Sequence, residues 1–587
     1  MRFDAIERAS TDRGISFSLH TPATSPVTCD ITGWADASAS LATEHIVQAA
    51  SGLMSVHGRA SGQAQALGVN YVSTLAAALG LQAAIAAAVG QLRGASVAHT
   101  TVSLASAALL SVGQYIAGAT APQSPEKILP GSTSTQDRPP FTSLDGVVFE
   151  LETLDAEPWR TFWAEVGVDA DTAGKGWKGF LLRYAKAIAP LPAQLTAALS
   201  RLPYAHIAAI CARTGMSICA LRSLGERARD DDAQDMWRQG PWTFVSGQSQ
   251  HNASPGRSAA DLPLSGLTVI ESCRRIQGPL AGHLLALLGA DVIRIEPPGG
   301  DPLRGMPPMA QGVSARFDAL NRYKTVREID IKSVRGQADI HELARHADVF
   351  LHNWAPGKAA LLHLDHADLA RINPALIYAY AGGWGNAVRH DLPGTDFMAQ
   401  AYSGVGKKIA GASGTAGGSL FTVLDVLGGV VAAQGITVAL LARCMNHAGV
   451  KVESSLLGAA TLLCADELHA QLHPDATTCA PESIIKAVYS TRQGLIAIEC
   501  CDTKTALRLA GILGLSNAAD LHSRLSGILL SKSAAEWLAV LEQGGIPAAI
   551  VIEDLADLHK EQRISACLSV ASGTGSYTRV NSPWRFK

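Results

Sequence analysis

The sequence predicts an α/β fold, a doubly wound parallel sheet carried as two homologous modules in one chain, and three observations lead there. From residue 264 onward, short apolar runs at 267–271 and 291–296 flank a helical stretch at 278–289, and further runs follow at 326–331, 348–352 and 376–381. Strands alternating with helices in this way form parallel sheets covered on both faces. The second observation is an internal repeat. Residues 43–52 overlay 395–404 at an offset of 352, and the same offset pairs Ala60-Ser61-Gly62 with Ala412-Ser413-Gly414, Gln82 with Gln434, and Ser103-Leu104 with Ser455-Leu456. No gap is needed, and 17 of 68 positions are identical. The third is size and composition: 587 residues, 47% hydrophobic and 17% charged, suit an enzyme of two to four packed cores.

The elements follow in order. The first copy begins near Thr28 to Trp34, opposite Tyr378 to Trp384, and has no counterpart of residues 264–373. It therefore lacks the opening strand–helix units that make a nucleotide-binding crevice in a doubly wound sheet. With small shifts the match resumes at Gly146 and Gly494, at Gly215 and Gly545, and at Pro241-Trp242 and Pro583-Trp584. Residues 1–250 thus read as a degenerate, truncated module, 251–263 as a linker, and 264–587 as the active module. Residues 120–142 and 226–262, the latter with the run Arg229-Asp230-Asp231-Asp232, have the composition of solvated linkers. Residues 75–92 carry no charge but are Ala- and Gly-rich with Gln82 and Gln91 inside, which predicts a buried helix and no membrane span.

A net charge of -3 and a pI near 6.7 give no electrostatic reason to expect nucleic acid. The ten cysteines are scattered, without metal-ligand spacing, and read as buried small hydrophobes of a reducing compartment. Met1-Arg2-Phe3-Asp4 lacks the apolar core of a signal peptide, so a cytoplasmic protein is expected. His341, His346 and His352 are irregularly spaced and Cys500-Cys501 has no neighbouring base; both groups read as structural, and no metal is expected.

The chemistry centres on Phe421-Thr422-Val423-Leu424-Asp425, which runs into Val426-Leu427-Gly428-Gly429. An ionised carboxylate between an apolar run and an apolar helix is costly unless N–H donors hold it, and a helix start supplies them. That spacing alone fits either a helix N-cap or a carboxylate nucleophile.

A series of short motifs, Val269-Ile270-Glu271, Gln277-Gly278-Pro279, residues 288–296, Pro298-Gly299-Gly300-Asp301-Pro302, Asn321-Arg322-Tyr323-Lys324, Asp330-Ile331-Lys332, Asn353-Trp354-Ala355-Pro356-Gly357 and residues 372–378, has the order and spacing of class III CoA-transferases. The chain resembles this CaiB/BaiF-type family, which includes formyl-CoA transferase and α-methylacyl-CoA racemase, over 264–587 and more faintly over 28–250. The resemblance implies a smaller second domain in each module and an interlocked dimer, either between two chains or within this one. It places the nucleophile on Asp425, a second carboxylate on Asp396, and a site-lining glutamine on Gln277. CoA-binding candidates are Lys332, Asn353, Lys358 and Arg294. The implied reaction moves CoA from an acyl-CoA donor to a carboxylic acid acceptor through an aspartyl anhydride and an aspartyl-CoA thioester, with CoA as substrate. Residues 411–418 are a candidate oxyanion-binding loop by composition.

Three departures from the family stand out. Pro297 and Leu361 replace arginines near the nucleotide end of CoA, and Thr395 replaces the histidine that serves racemases as a base. A CoA-dependent isomerase, racemase or lyase, and a silent CoA or acyl-carrier binding protein, are the alternatives. In the first copy the offset of 352 sets Ser73 opposite Asp425, with no acid or histidine adjacent in sequence to activate it, so one active site per chain is expected.

Overall fold

The computed structural model describes residues 6–11, 14–35, 42–123, 125–126, 137–247, 262–385, 392–472, 483–515, 521–570 and 575–587. The apolar runs after residue 264 form a seven-stranded sheet in the spatial order Lys324–Glu328, Asp291–Glu296, Thr268–Ser272, Val349–His352, Ile377–Gly382, Val450–Ser455 and Trp242–Ser246. The first six strands are parallel and the seventh is antiparallel. Numbered along the chain, the six parallel strands lie in the order 3-2-1-4-5-6, and the order reverses between Thr268–Ser272 and Val349–His352. That reversal opens a crevice at the carboxyl ends of the strands. All four residues of Val349–His352 are buried, as expected for a central strand covered on both faces.

The first part of the chain builds a five-stranded sheet in the order Ile6–Thr11, Gly14–Leu19, Val27–Thr32, His99–Ser103 and Trp584–Phe586. Val27–Thr32 and His99–Ser103 are parallel, like Ile377–Gly382 and Val450–Ser455. Where the larger sheet continues with Val349–His352 and three further parallel strands, this one has the antiparallel hairpin Ile6–Thr11 and Gly14–Leu19. A hairpin needs no crossover helix, so it finishes the sheet without the missing units.

The outermost strands cross over. Trp242–Ser246 pairs with Val450–Ser455, and Trp584–Phe586, at the far end of the chain, pairs with His99–Ser103. Trp242 lies opposite Ser454 and Trp584 opposite Val102, and 454 − 102 = 352. The indole of Trp242 donates to the Val431 carbonyl at 2.7 Å and that of Trp584 to Leu79 at 2.9 Å, and 431 − 79 is again 352. The boundary at 251–263 expected from sequence is therefore not a boundary in space. A strand from before residue 250 finishes the second sheet and one from beyond residue 583 finishes the first. Of that linker only residues 262 and 263 are described.

The two long apolar helices, Tyr71–Leu92 and Val423–Asn446, pack against each other at the centre. Both are long and apolar enough to cross a membrane, and both are largely buried within the protein, as expected for 75–92. The Tyr71 hydroxyl donates to the carbonyl of Val423 at 3.2 Å. These two residues are themselves 352 apart, so equivalent positions meet where the helices begin. Gly429 allows helix Gln277–Leu287 to approach: a Cβ there would lie 2.7 Å from the Gln277 carbonyl oxygen.

Two small domains complete the molecule. Strands Phe141–Thr142, Val148–Glu152 and Ser217–Ala220 enclose an aromatic core of Trp159, Trp163, Phe162 and Phe180. Strands Ile485–Ser490, Leu495–Cys500 and Ala548–Ile550 form a second small core with Trp537. The expectation of linkers fails at 226–247, which folds into helix Asp231–Gln239 and strand Trp242–Ser246, with Arg227 buried against Asp230 and Asp232. Charges of opposite sign five residues apart closed on each other instead of facing solvent. Glu126, in the other expected linker, is half-buried and pairs with the buried Arg316; residues 127–136 and 248–261 lie outside the described residues. Seven of the nine described cysteines are buried, and none of the nine forms a disulfide.

Candidate active site

Thr422 occupies the N-cap position of helix Val423–Asn446 without a side-chain capping hydrogen bond, and Asp425 stands in the first turn and not at the cap. The capping is done from elsewhere. Asp396, in the first turn of helix Asp396–Ser403, accepts the backbone N–H groups of Leu424 and Asp425, both at 2.7 Å on one oxygen. Its other oxygen takes the Gln400 amide. A carboxylate at a helix N-terminus satisfies orphan donors and meets the positive end of the helix dipole. Asp396 is thus fully used in holding the start of this helix, which leaves the carboxyl of Asp425 free to face the cavity beside it.

That cavity, about 1070 Å³, opens at the strand-order reversal and is lined by Ser272, Arg274, Arg275, Gln277, Lys332, Asn353, Lys358, Gly382–Gly385, Thr395, Asp396 and Asp425, with Leu154, Asp155 and Tyr184 from the first part of the chain. It is at the upper end of the size range of small-molecule sites. Burial raises the Asp425 carboxyl to about 6; Arg275 opposes the shift and Glu152 adds to it. Burial raises the Asp396 carboxyl as well, with the neighbouring Asp425 charge second, against its three donors.

Of the residues expected from sequence, Asp425, Asp396, Gln277, Lys332, Asn353 and Lys358 are brought to this one cavity. Gln277 donates its amide to the Gly382 carbonyl at 3.2 Å, tying the helix start to the end of strand Ile377–Gly382. The Asn353 amide both donates to the Arg274 carbonyl at 2.8 Å and accepts the Arg274 N–H at 3.0 Å, so it pins the loop before Gln277. Lys358 is lowered by burial and then by Arg274 and Lys332, which marks these three cations as close neighbours. Arg274 and Arg275 are site residues that sequence reasoning missed, because two arginines after a strand look like an ordinary solvated loop.

Two expectations fail. Arg294 is not on the cavity wall: it is buried and holds Glu271 at 2.5 Å, Asp301 at 2.8 Å and Glu296 at 3.2 Å. Its β-strand position turns the side chain into the protein among three carboxylates, which use up the guanidinium. Residues 411–418 are not on the wall either; Gly417 packs against Pro140, and the glycines lining the cavity are Gly357, Gly382, Gly383, Gly385 and Gly394. Thr395 donates its hydroxyl to Glu152 of the first small domain at 2.9 Å.

The first part of the chain holds a matching arrangement. Glu44 accepts the N–H groups of Val72 at 2.8 Å and Ser73 at 2.7 Å, and Gln48 donates to it at 2.8 Å. Glu44, Val72, Ser73 and Gln48 each lie 352 before Asp396, Leu424, Asp425 and Gln400 in turn. The Ser73 hydroxyl also donates to Glu44, at 2.6 Å. No acid or histidine is adjacent to Ser73 in sequence, but the fold brings Glu44 to it from 29 residues away. Burial raises that carboxyl, against the hydrogen bonds it accepts from Ser73, Gln48 and Val72.

The strand order 3-2-1-4-5-6 thus carries, at its reversal, a cavity with carboxyl groups and a cluster of cations on its wall. The family model for CoA-transferase family III matches residues 25–241 and 264–587, and the chain belongs to that family. Similar proteins include the probable fatty acyl-CoA transferase Rv3272 of Mycobacterium tuberculosis, 28% identical over 55% of this chain and 92% of the relative. The mouse succinyl-CoA:glutarate CoA-transferase is 29% identical over 51% of this chain and 74% of its own length, and the acetyl-CoA:oxalate CoA-transferase of Acetobacter aceti 28% over 53% and 86%. The crystal structure of Rv3272 covers 54% of this chain and 91% of its own, at 27% identity and a TM-score of 0.47.

Proposed function

We propose that this protein transfers CoA from an acyl-CoA thioester to a carboxylic acid through covalent intermediates on Asp425. The observation that carries the reading is the division of labour between two carboxylates: Asp396 is bound to the helix start, and Asp425 opens onto the cavity. The Asp425 oxygen attacks the thioester carbonyl, the C–S bond breaks, and CoA thiolate leaves a mixed anhydride. The thiolate attacks the aspartyl carbonyl, forming aspartyl-CoA and releasing the donor acid. The acceptor carboxylate then attacks that thioester, and the expelled thiolate takes the acceptor acyl group, restoring Asp425. No net proton is taken up. Arg274, Lys332 and Lys358 form the phosphate-binding end, in place of the arginines missing at Pro297 and Leu361; lysine serves there as a point charge.

Racemisation is disfavoured because Thr395 has no ring nitrogen to exchange a proton and its hydroxyl is bound to Glu152. We further infer that the chain is a tandem of two family modules acting as an internal dimer, the first without a nucleophile. Two family-model segments, relatives that each align to about half the chain, and contacts recurring at an offset of 352 support this. The test is to incubate the protein with acyl-CoA and map adducts by peptide mass spectrometry. A CoA-sized mass on the Asp425 peptide, absent from Asp425→Ala together with transfer activity, is the expected result; transfer by folded Asp425→Ala within tenfold of wild type would overturn the proposal.

A further inference from the structure

Arg275 lies between strand Thr268–Ser272 and helix Gln277–Leu287 with a φ of 67°, the left-handed region that non-glycine residues seldom adopt and that survives where its surroundings enforce it. The enforcement is visible on both sides. Asn353 grips the backbone of Arg274, and Gln277 is tied to Gly382, so the intervening residue is turned with its side chain on the cavity wall. The Arg275 guanidinium lies 4.9 Å from the centre of the Tyr184 ring.

Tyr184 comes from the first small domain and is itself fixed. Its hydroxyl donates to Glu152, which also takes Arg183 at 2.9 Å and Thr395 at 2.9 Å. The aromatic face is therefore a rigid platform. Among the described residues no hydrogen bond or ion pair occupies the Arg275 guanidinium. The four cations on the wall divide by position: Arg274 and Lys332 act on Lys358, whereas Arg275 is the one whose charge reaches Asp425.

We propose that Arg275, stacked on Tyr184, binds the carboxylate of the acceptor acid, and of the donor acid as it leaves, beside Asp425. The assignment rests on the transferase reading above. A guanidinium can hold one carboxylate oxygen while the other attacks the aspartyl thioester, and its charge offsets the repulsion of an anion entering a cavity with Asp396 and Asp425 on its wall. Acceptance of an anionic acid would thus depend on a platform supplied by the part of the chain that lacks the nucleophile.

Identity exchange tests this whichever acid is the natural acceptor, since any acid released from a thioester can re-enter the same site. Exchange of carbon-14 between acyl-CoA and its own free acid would be followed for the acetyl, isobutyryl and succinyl couples, with loading of Asp425 measured separately by mass spectrometry. Arg275→Gln is expected to raise the KM for the free acid at least tenfold while the KM for the thioester changes less than threefold, and Arg275→Lys is expected to recover part of the loss. Tyr184→Phe, which keeps the ring, should raise the acid KM less than Tyr184→Leu. Normal loading of Asp425 with an unchanged acid KM in Arg275→Gln, or a rise confined to the thioester KM, would overturn the assignment alone. A wild-type protein that never loads Asp425 would overturn the transferase reading and this assignment with it.

Discussion

Asp425 acquires its chemistry from where it stands in the helix. With its carboxyl raised to about 6, it is protonated and unreactive in mild acid and ionised at neutral pH. The transfer rate at saturating thioester is expected to fall about tenfold per pH unit below 6 and to level off above it; a rate independent of pH between 5 and 8 would count against Asp425 as the nucleophile. The same shift bears on stability. Because the folded protein binds this proton more tightly than the unfolded chain, the group favours the fold at low pH and that contribution is lost as pH rises through 6. Replacing it removes the cost, so Asp425→Asn is expected to be more stable by about 1–2 kcal/mol at pH 8, a value discounted for partial exposure, and no more stable near pH 4. Urea titrations at the two pH values measure the difference. At Thr395, the α-proton of 2-methylacyl-CoA is expected not to exchange in deuterated water, and rapid incorporation of deuterium would point to epimerisation instead.

At the scale of elements, the parallel strands were legible because a strand buried on both faces must read as an apolar run, and 267–271 and 348–352 do. The helix that carries Asp425 was legible from its Gly-rich apolar start. The crossing of the terminal strands was not, since nothing in Pro241-Trp242 or Pro583-Trp584 says which sheet will take the strand; pairing is a long-range choice made by packing. Nor was Arg275, because positive φ at a non-glycine residue follows from contacts that Asn353 and Gln277 make only after folding. Trp584 now carries a measurable burden. It is 4% exposed, bonded to Leu79, and joins the end of the chain to the first sheet. Trp584→Ala is expected to cost about 3–5 kcal/mol in denaturant unfolding, and a loss under about 1 kcal/mol would show that the crossing strand contributes little.

At the scale of the whole molecule, the proposed internal dimer would give the part without Asp425 a structural role. Residues 1–250 give the second sheet its edge strand and the cavity its Tyr184 wall, and residues 264–587 return the favour with Trp584–Phe586. Expressed alone, 264–587 is expected to lack transfer activity, and co-expression with 1–250 as a separate chain to restore it. The central claim is that the two carboxylate-capped helix starts are unequal: Asp425 reacts, and Ser73, bonded to Glu44, does not. The most direct measurement is active-site titration of the intact chain with a slowly turned-over acyl-CoA, followed by mapping of the adduct. One equivalent per chain, entirely on Asp425, is the expected result; two equivalents, or any adduct on Ser73, would contradict it.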